Sequence, residues 1–197
     1  MYKNFFKRFL DVLLSALALI VLAVPMLIVA AIIKHEDSGN VFFKQKRIGI
    51  HKKFFYIYKF RSMKSSTPHD VPTHMLENPE RYILKCGRWI RKYSIDELPQ
   101  IINILKGDMS IVGPRPALWN QDDLIAERDK YGANDIRPGL TGWAQINGRD
   151  ELAIPVKAKL DGEYVKRVSF IFDCICILRT VTSVFKHEGF IEGAEKS

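Results

Sequence analysis

Asp96 and Glu97 are adjacent carboxylates, and such a pair can hold a divalent metal or divide the roles of nucleophile and base. The same pair at the start of a helix can simply cap free N–H groups and complement the dipole. The cations in the rest of the chain favour chemistry on a phosphate ester. Lys59 and Arg61 stand at alternate positions of an apparent strand, hence on one face. Arg91 precedes Asp96 by five residues, and Arg115 sits between Pro114 and Pro116. Arg137 and Arg149 flank a stretch carrying Gly139, Gly142 and Gly148. Guanidinium groups grip phosphate through two parallel hydrogen bonds, and glycines let backbone N–H groups approach it. Each arginine taken alone also reads as a solvated surface charge.

Composition narrows the partners. The 197 residues carry 30 Lys+Arg against 22 Asp+Glu, a formal charge of +8. A basic surface favours nucleic acid, anionic lipid or phosphorylated substrates. There is no zinc-finger spacing or aromatic RNA-binding run, so nucleic acid is not expected. A Walker A sequence and a glycine fingerprint ahead of a helix are also missing. Cys86, Cys174 and Cys176 are too few for a disulfide framework and read as inert thiols in a reducing compartment.

Several elements must position these groups. Two strands are expected over residues 41–45 and 54–60, joined around Gly49, and a helix over 81–92 with Gly87 as its weak point. Leu98, Ile101, Ile102 and Leu105 predict a helix over 96–106, ended by Gly107 and begun by Ser94 or Asp96 as its cap. Residues 65–79 hold three prolines and read as a surface loop, and 110–116 as extended. A polar-faced helix is expected over 118–131, tight turns over 137–149, and helix over 157–186. The apolar run 168–178, bordered by Arg179 and Lys186, suits either a core helix or one in a membrane interface.

Residues 12–33 carry no charge, and as a helix would reach about 33 Å, enough to cross a bilayer core. The run is longer than the apolar part of a signal peptide. Lys3, Lys7 and Arg8 precede it, and Lys34, Lys44, Lys46 and Arg47 follow. Positive residues stay cytoplasmic, so a span must export one basic flank and a re-entrant hairpin exports neither. Pro25 removes a donor in mid-segment and predicts a break or kink. Charge and Pro25 alone leave span and hairpin equally open.

The motifs Lys59-Phe60-Arg61-Ser62-Met63, Ser94-Ile95-Asp96-Glu97-Leu98-Pro99-Gln100, Lys106-Gly107-Asp108-Met109-Ser110, Gly113-Pro114-Arg115-Pro116 and the run from Arg137 to Arg149 occur in this order behind a basic N-terminus and a Pro-interrupted apolar segment. Together they resemble the bacterial sugar transferase family, the small monotopic phosphoglycosyltransferases. The resemblance implies an α+β, mostly helical fold: a re-entrant membrane helix over residues 1–35, bent at Pro25, and a small catalytic domain over 36–197 with a short β-hairpin and interfacial helices. It implies transfer of a sugar 1-phosphate from a UDP-sugar to polyprenyl (undecaprenyl) phosphate, with Mg²⁺ and release of UMP, as the first membrane step of glycan assembly. Asp96 would carry a covalent phosphosugar, and Glu97 would support the metal or handle a proton. Lys59, Arg61, Arg91, Arg115, Arg137, Asn147 and Arg149 would bind phosphate or substrate. The chain would lie on the cytoplasmic face of the bacterial inner membrane, in contact with its lipid.

Some positions depart from the family pattern. Val24 replaces the Ser common before the break-point proline, Asp150 ends the glycine-rich motif, and Leu160 leaves Asp161 alone where a Tyr-Asp pair is common. Pro116-Ala117-Leu118-Trp119-Asn120-Gln121 is similar to members that use N-acetylated, often 6-deoxy, amino sugars. Two rival classes are an ordinary glycosyltransferase releasing UDP and a basic, non-catalytic membrane-surface scaffold.

Overall fold

A computed structural model describes residues 2–67, 79–148 and 152–186. Most of the expected loop at 65–79, together with Arg149 and Asp150, lies outside them. The order is α1 (Lys7–Glu36), β1 (Phe42–Ile48), β2 (Phe54–Phe60), α2 (Lys85–Lys92), α3 (Gln100–Lys106), β3 (Ser110–Val112), α4 (Asp122–Asp129), β4 (Gly139–Thr141), α5 (Trp143–Ile146), α6 (Ile154–Arg167) and α7 (Phe170–Lys186). The described fold is mostly helical, as expected, with the expected β-hairpin and a second small sheet that the sequence did not predict.

Helix α1 is long and apolar enough to cross a membrane. Pro25 lies inside it, and the helix continues past the proline. Met26, Val29 and Ile33, spaced three and four apart, bury against Phe60, Leu84 and Ile90. Ile20, Val21, Val24 and Leu27 point outward. Both ends are fastened to the same folded domain. Near the start, Arg8 donates to the Ile104 carbonyl at 2.7 Å and the Leu105 carbonyl at 3.2 Å. Asp11, in the first turns of an otherwise apolar helix, accepts from Ser110 Oγ at 2.7 Å and Ile111 N at 3.1 Å. At the far end Glu36 accepts from the Lys85 and Cys86 amides, and Asp37 pairs with Arg61.

β1 and β2 form an antiparallel hairpin in which Phe42 faces Phe60 and Ile48 faces Phe54. β1 begins one residue later and ends three residues later than expected. Gly49 and a short turn over Ile50–Lys52 join the strands, with His51 in the left-handed region at φ 52°. Phe55 and Ile57 face inward onto Ile104 and Met109, so the alternation turns Lys59 to the same inner face. α3 is stitched to β2 by a buried amide: Asn103 accepts from Tyr58 N at 3.0 Å and donates to the Tyr56 carbonyl at 2.8 Å.

β3 and β4 pair in parallel, Ser110 with Gly139 and Val112 with Thr141. The turns expected over 137–149 therefore include a short strand and the one-turn helix α5. Two other helices are shorter than expected. α2 starts at Lys85, because residues 81–84 turn and bridge Met63 to Ile83. α4 covers Asp122–Asp129 only. The single helix expected over 157–186 is two, α6 and α7, separated at Val168 and Ser169. Tyr164 and Phe172 pack there with Val112 and Cys176. Asp173 ties α7 to the beginning of the chain, accepting from Lys7 at 2.7 Å and from Tyr2 and Tyr164 at 2.6 and 2.7 Å. Phe170, Ile171 and Leu178 remain exposed on α7.

Candidate active site

The acidic pair does not lie on an α-helix. The chain leaves α2 through Tyr93 and Ser94, and Ser94 takes a left-handed conformation at φ 55° without capping anything. A 3-10 turn over Ile95–Glu97 follows, and α3 begins only at Gln100, behind Pro99. Neither Ser94 nor Asp96 serves as the expected cap, because the positive φ at Ser94 redirects the chain before a helix can start. The turn is closed by Glu97 N donating to the Ser94 carbonyl at 3.1 Å and Leu98 N to the Ile95 carbonyl at 3.1 Å. Ile95 and Leu98, on either side of the acids, pack against the α1–Phe60–Leu84 cluster. Apolar anchors thus fix the backbone of a turn whose two polar side chains face the hairpin. The expected Gly107 stop of α3 is present, at φ 97° with its amide on the Asn103 and Ile104 carbonyls.

Lys59 reaches from β2 between the two carboxylates, with Nζ 2.8 Å from Glu97 Oε1 and 3.4 Å from Asp96 Oδ2. Arg115 Nη2 meets the same Glu97 Oε1 at 2.8 Å. Glu97 is therefore clamped by two cations at short range, whereas Asp96 has one long contact. Their acidities separate accordingly. Burial would raise the Glu97 pKa, but the Arg115 and then the Lys59 charges outweigh it and hold Glu97 well below the ordinary glutamate range. Burial raises the Asp96 pKa, the Glu97 charge adds to the rise, and Lys59 and Arg115 offset it only in part. Two neighbouring carboxyls pushed in opposite directions take different roles. Glu97 is held as an anion, and Asp96 is the more basic of the two carboxylates.

Arg115 is itself held. Its carbonyl accepts from Arg128 Nη1 at 3.0 Å, and Arg128 is locked to Asp161 at 2.6 Å with both side chains almost wholly buried. Pro114 and Pro116 limit the loop, and Arg47 donates to the Pro116 carbonyl at 2.9 Å. Neither Arg128 nor Asp161 was expected at the site. Both look like ordinary surface charges in sequence, and only the packing of α4 on α6 brings them together. Asn103 was missed for the same reason.

The other expected residues divide. Arg91 is half-buried on α2 and has no side-chain partner among the described residues. Arg61 does not join Lys59 at the acids: β2 ends at Phe60, and the buried Arg61 guanidinium turns to the Asp37 carboxylate and to the carbonyls of Asp37 and Asn40. It fastens the end of α1. Arg137 donates to the Gly107 carbonyl at 3.0 Å, at the far end of α3 from the acids. Asn147 is exposed and returns to the Trp143 carbonyl at 2.7 Å. Arg149 lies outside the described residues.

The glycines do not form an open phosphate cradle. A Cβ on Gly142 would meet the Gly113 carbonyl, and one on Gly139 the Gly113 amide. The Gly113 amide donates to the Thr141 carbonyl at 2.8 Å and the Gly139 amide to the Pro114 carbonyl at 2.8 Å. They allow two backbones to touch, which aims the Arg115 loop. Two of the thiols stay protonated: burial, then Glu36, pushes Cys86 up to about 12, and burial, then Asp173, pushes Cys176 up to about 11.

Among the described residues no group of three or more His, Cys, Asp or Glu side chains is arranged to hold a metal. Mg²⁺ does not require one. It is commonly held by one or two carboxylates together with substrate phosphates and water. Asp96 Oδ1 and Glu97 Oε2 make no hydrogen bond to the described residues, so the pair fits a metal shared with substrate rather than enclosed by protein.

Comparison with known proteins places the chain in a family. The model of the family described as bacterial sugar transferase matches residues 2–187. An uncharacterized sugar transferase, EpsL, of Bacillus subtilis (strain 168) is 42% identical over 183 residues, covering 93% of this chain and 89% of the relative. The exopolysaccharide production protein ExoY of Sinorhizobium fredii (strain NBRC 101917 / NGR234) is 34% identical, covering 93% and 87%. The UDP-glucose:undecaprenyl-phosphate glucose-1-phosphate transferase of Escherichia coli (strain K12) is 36% identical, and the match covers 91% of this chain but 40% of that longer protein. With the five motifs and nearly the whole chain matched, the protein belongs to the bacterial sugar transferase family.

Proposed function

We propose that the chain is a phosphoglycosyltransferase that moves a sugar 1-phosphate from a UDP-sugar to polyprenyl (undecaprenyl) phosphate through a covalent intermediate on Asp96. The observation that carries this reading is the asymmetry of the acidic pair: a clamped Glu97 beside a partly buried Asp96, raised in pKa and held by a single long contact among the described residues.

In the first step an Asp96 oxygen bonds to the phosphorus that bears the sugar. The bond from that phosphorus to the oxygen bridging to the uridylate breaks, and UMP leaves with the electron pair. In the second step a phosphate oxygen of the polyprenyl acceptor bonds to the same phosphorus, and the acyl-phosphate bond breaks to restore the Asp96 carboxylate. Lys59 and Arg115 neutralise the diphosphate as charge moves to the leaving group. Bound Mg²⁺, held by Asp96 and Glu97 together with substrate, would supply further neutralisation of the phosphates. Arg91, with no side-chain partner among the described residues, suits the incoming phosphate.

The acceptor phosphate lies in the headgroup plane, so the site must lie there too. We take α1 as a re-entrant membrane helix at the cytoplasmic face of the bacterial inner membrane. Support comes from its two ends. A span would separate them by roughly 30 Å of hydrocarbon, yet Arg8 and Asp11 at one end and Glu36 and Asp37 at the other all bond the same domain. Pro25 is the proposed bend. The segment from Pro116 to Gln121 favours an N-acetylated, 6-deoxy amino sugar as donor, and the product would begin assembly of a capsule, O-antigen or glycoconjugate glycan.

The test is a nucleotide-release assay with purified chain, polyprenyl phosphate, Mg²⁺ and a panel of UDP-sugars. UMP is the expected product, released most strongly with an N-acetylated amino sugar. Release of UDP instead would assign an ordinary glycosyltransferase, and no release from any donor would favour the scaffold.

A further inference from the structure

A cavity of about 320 Å³ lies apart from the acidic pair: none of Asp96, Glu97, Lys59 or Arg115 lines it. Lys3, Lys7, Arg8 and Arg137 contribute four cations to its wall, against Asp11 and Asp135. Asp11 is occupied by Ser110 and the Ile111 amide, and Asp135 faces His51 at 3.2 Å. Of these cations only Lys7 is paired with a carboxylate among the described residues, that of Asp173. Arg8 and Arg137 converge on Gly107, each bonded to main-chain carbonyls at the end of α3. Burial, then the Arg137 charge, lowers the Arg8 pKa, and the Asp11 and Asp108 charges offset this only in part. Lys3 is exposed and has no side-chain partner among the described residues.

The surroundings of the cavity are apolar. Phe5 and Phe9 alternate with its cationic residues along the N-terminus, and both are exposed. Val168 lines it, and the exposed Phe170 and Ile171 follow directly on α7, with Tyr2 edge-on to Phe170. Aromatic residues beside Lys and Arg are the pattern of a membrane-water boundary. The volume lies at the lower end of small-molecule sites, roughly 300–1,000 Å³. That is larger than one ion needs and much smaller than a whole lipid.

We propose that this cavity binds the phosphate-bearing headgroup of an anionic phospholipid, with Lys3, Arg8 and Arg137 on the phosphate and the acyl chains leaving past Phe5 and Phe170. The site fixes the rotation of the domain on the bilayer and is separate from the one that takes the reacting substrates. It rests on the membrane placement proposed above and not on the transfer chemistry.

Native mass spectrometry of the full chain in neutral detergent, supplied with phosphatidylglycerol or phosphatidylcholine, tests it. Wild type should retain phosphatidylglycerol at least 5-fold over phosphatidylcholine. Lys3→Gln, on an exposed residue whose loss leaves the fold intact, should reduce that preference, and Lys3→Gln with Arg137→Gln should abolish it. Asp96→Asn should keep it, which separates this site from the acidic pair. Millimolar sn-glycerol 1-phosphate should not displace the lipid. Equal retention of the two lipids, a preference that survives the double variant, or displacement by the soluble ester would each overturn the proposal.

Discussion

Arg128 donates from Nη1 to the main-chain carbonyl of Arg115 at 3.0 Å, while Asp161 holds the rest of its guanidinium. The carboxylate–guanidinium pair is thereby coupled to the loop that presents Arg115 to Glu97. Losing one member of a buried pair costs about 3–5 kcal/mol, whereas replacing both with apolar groups is often neutral. Arg128→Met alone should therefore lower the melting temperature markedly. Arg128→Met with Asp161→Leu should restore it yet leave KM for the UDP-sugar raised, because the Arg115 carbonyl has still lost its donor. Recovery of both stability and KM in the double variant would assign the pair a purely structural role.

Lys59 lowers the Asp96 pKa, against burial and Glu97, which raise it. Lys59→Met removes that opposition, so Asp96 ionises at higher pH. If the reacting form is the carboxylate, activity is lost as pH falls through this pKa. The acidic limb of the UMP-release profile should then move to higher pH in the variant, along with a fall in the plateau from the lost phosphate contact. An acidic limb that stays in place would detach Asp96 ionisation from the rate.

The two ends of α1 predict one-sided exposure. Lys3→Cys and Ser38→Cys both lie on exposed positions flanking the helix. In intact spheroplasts a membrane-impermeant maleimide should label neither, and after permeabilisation it should label both. Labelling of either one from outside would establish a true span.

Gly142 is extended, at φ −174°, so its requirement is space and not conformation. Gly142→Ala drives a Cβ into the Gly113 carbonyl, and overpacking of this sort typically costs about 1–3 kcal/mol. Because the Arg115 loop leaves directly from Gly113, activity measured below the melting temperature should fall as well. Wild-type activity in a destabilised Gly142→Ala would show that the contact does not aim the loop.

The sequence carried the hairpin, the Gly107 stop and the acidic pair with unusual clarity, because period-two alternation, a left-handed cap and adjacent carboxylates are local signals. It also placed Lys59 and Arg115 near the acids, as observed. It misread the start of α3, because nothing in Ser94 announces a positive φ and the Ser-x-x-Glu spacing imitates a capping box. Arg61 shares the parity of Lys59, but the strand stops between them. The glycine-rich stretch looked like a phosphate cradle because glycine serves close backbone packing equally well. Arg128, Asp161, Asn103 and Asp11 were invisible, since each gains its role from a partner between 33 and 99 residues distant.

The central claim is that Asp96 becomes covalently loaded. Intact-protein mass spectrometry after incubation with Mg²⁺ and the preferred UDP-sugar, without acceptor, measures this directly. Wild type should gain the mass of one phosphosugar as UMP is released, with the label on Asp96 and discharged by polyprenyl phosphate. Asp96→Asn should show neither adduct nor turnover, and undiminished turnover in that variant would contradict the account.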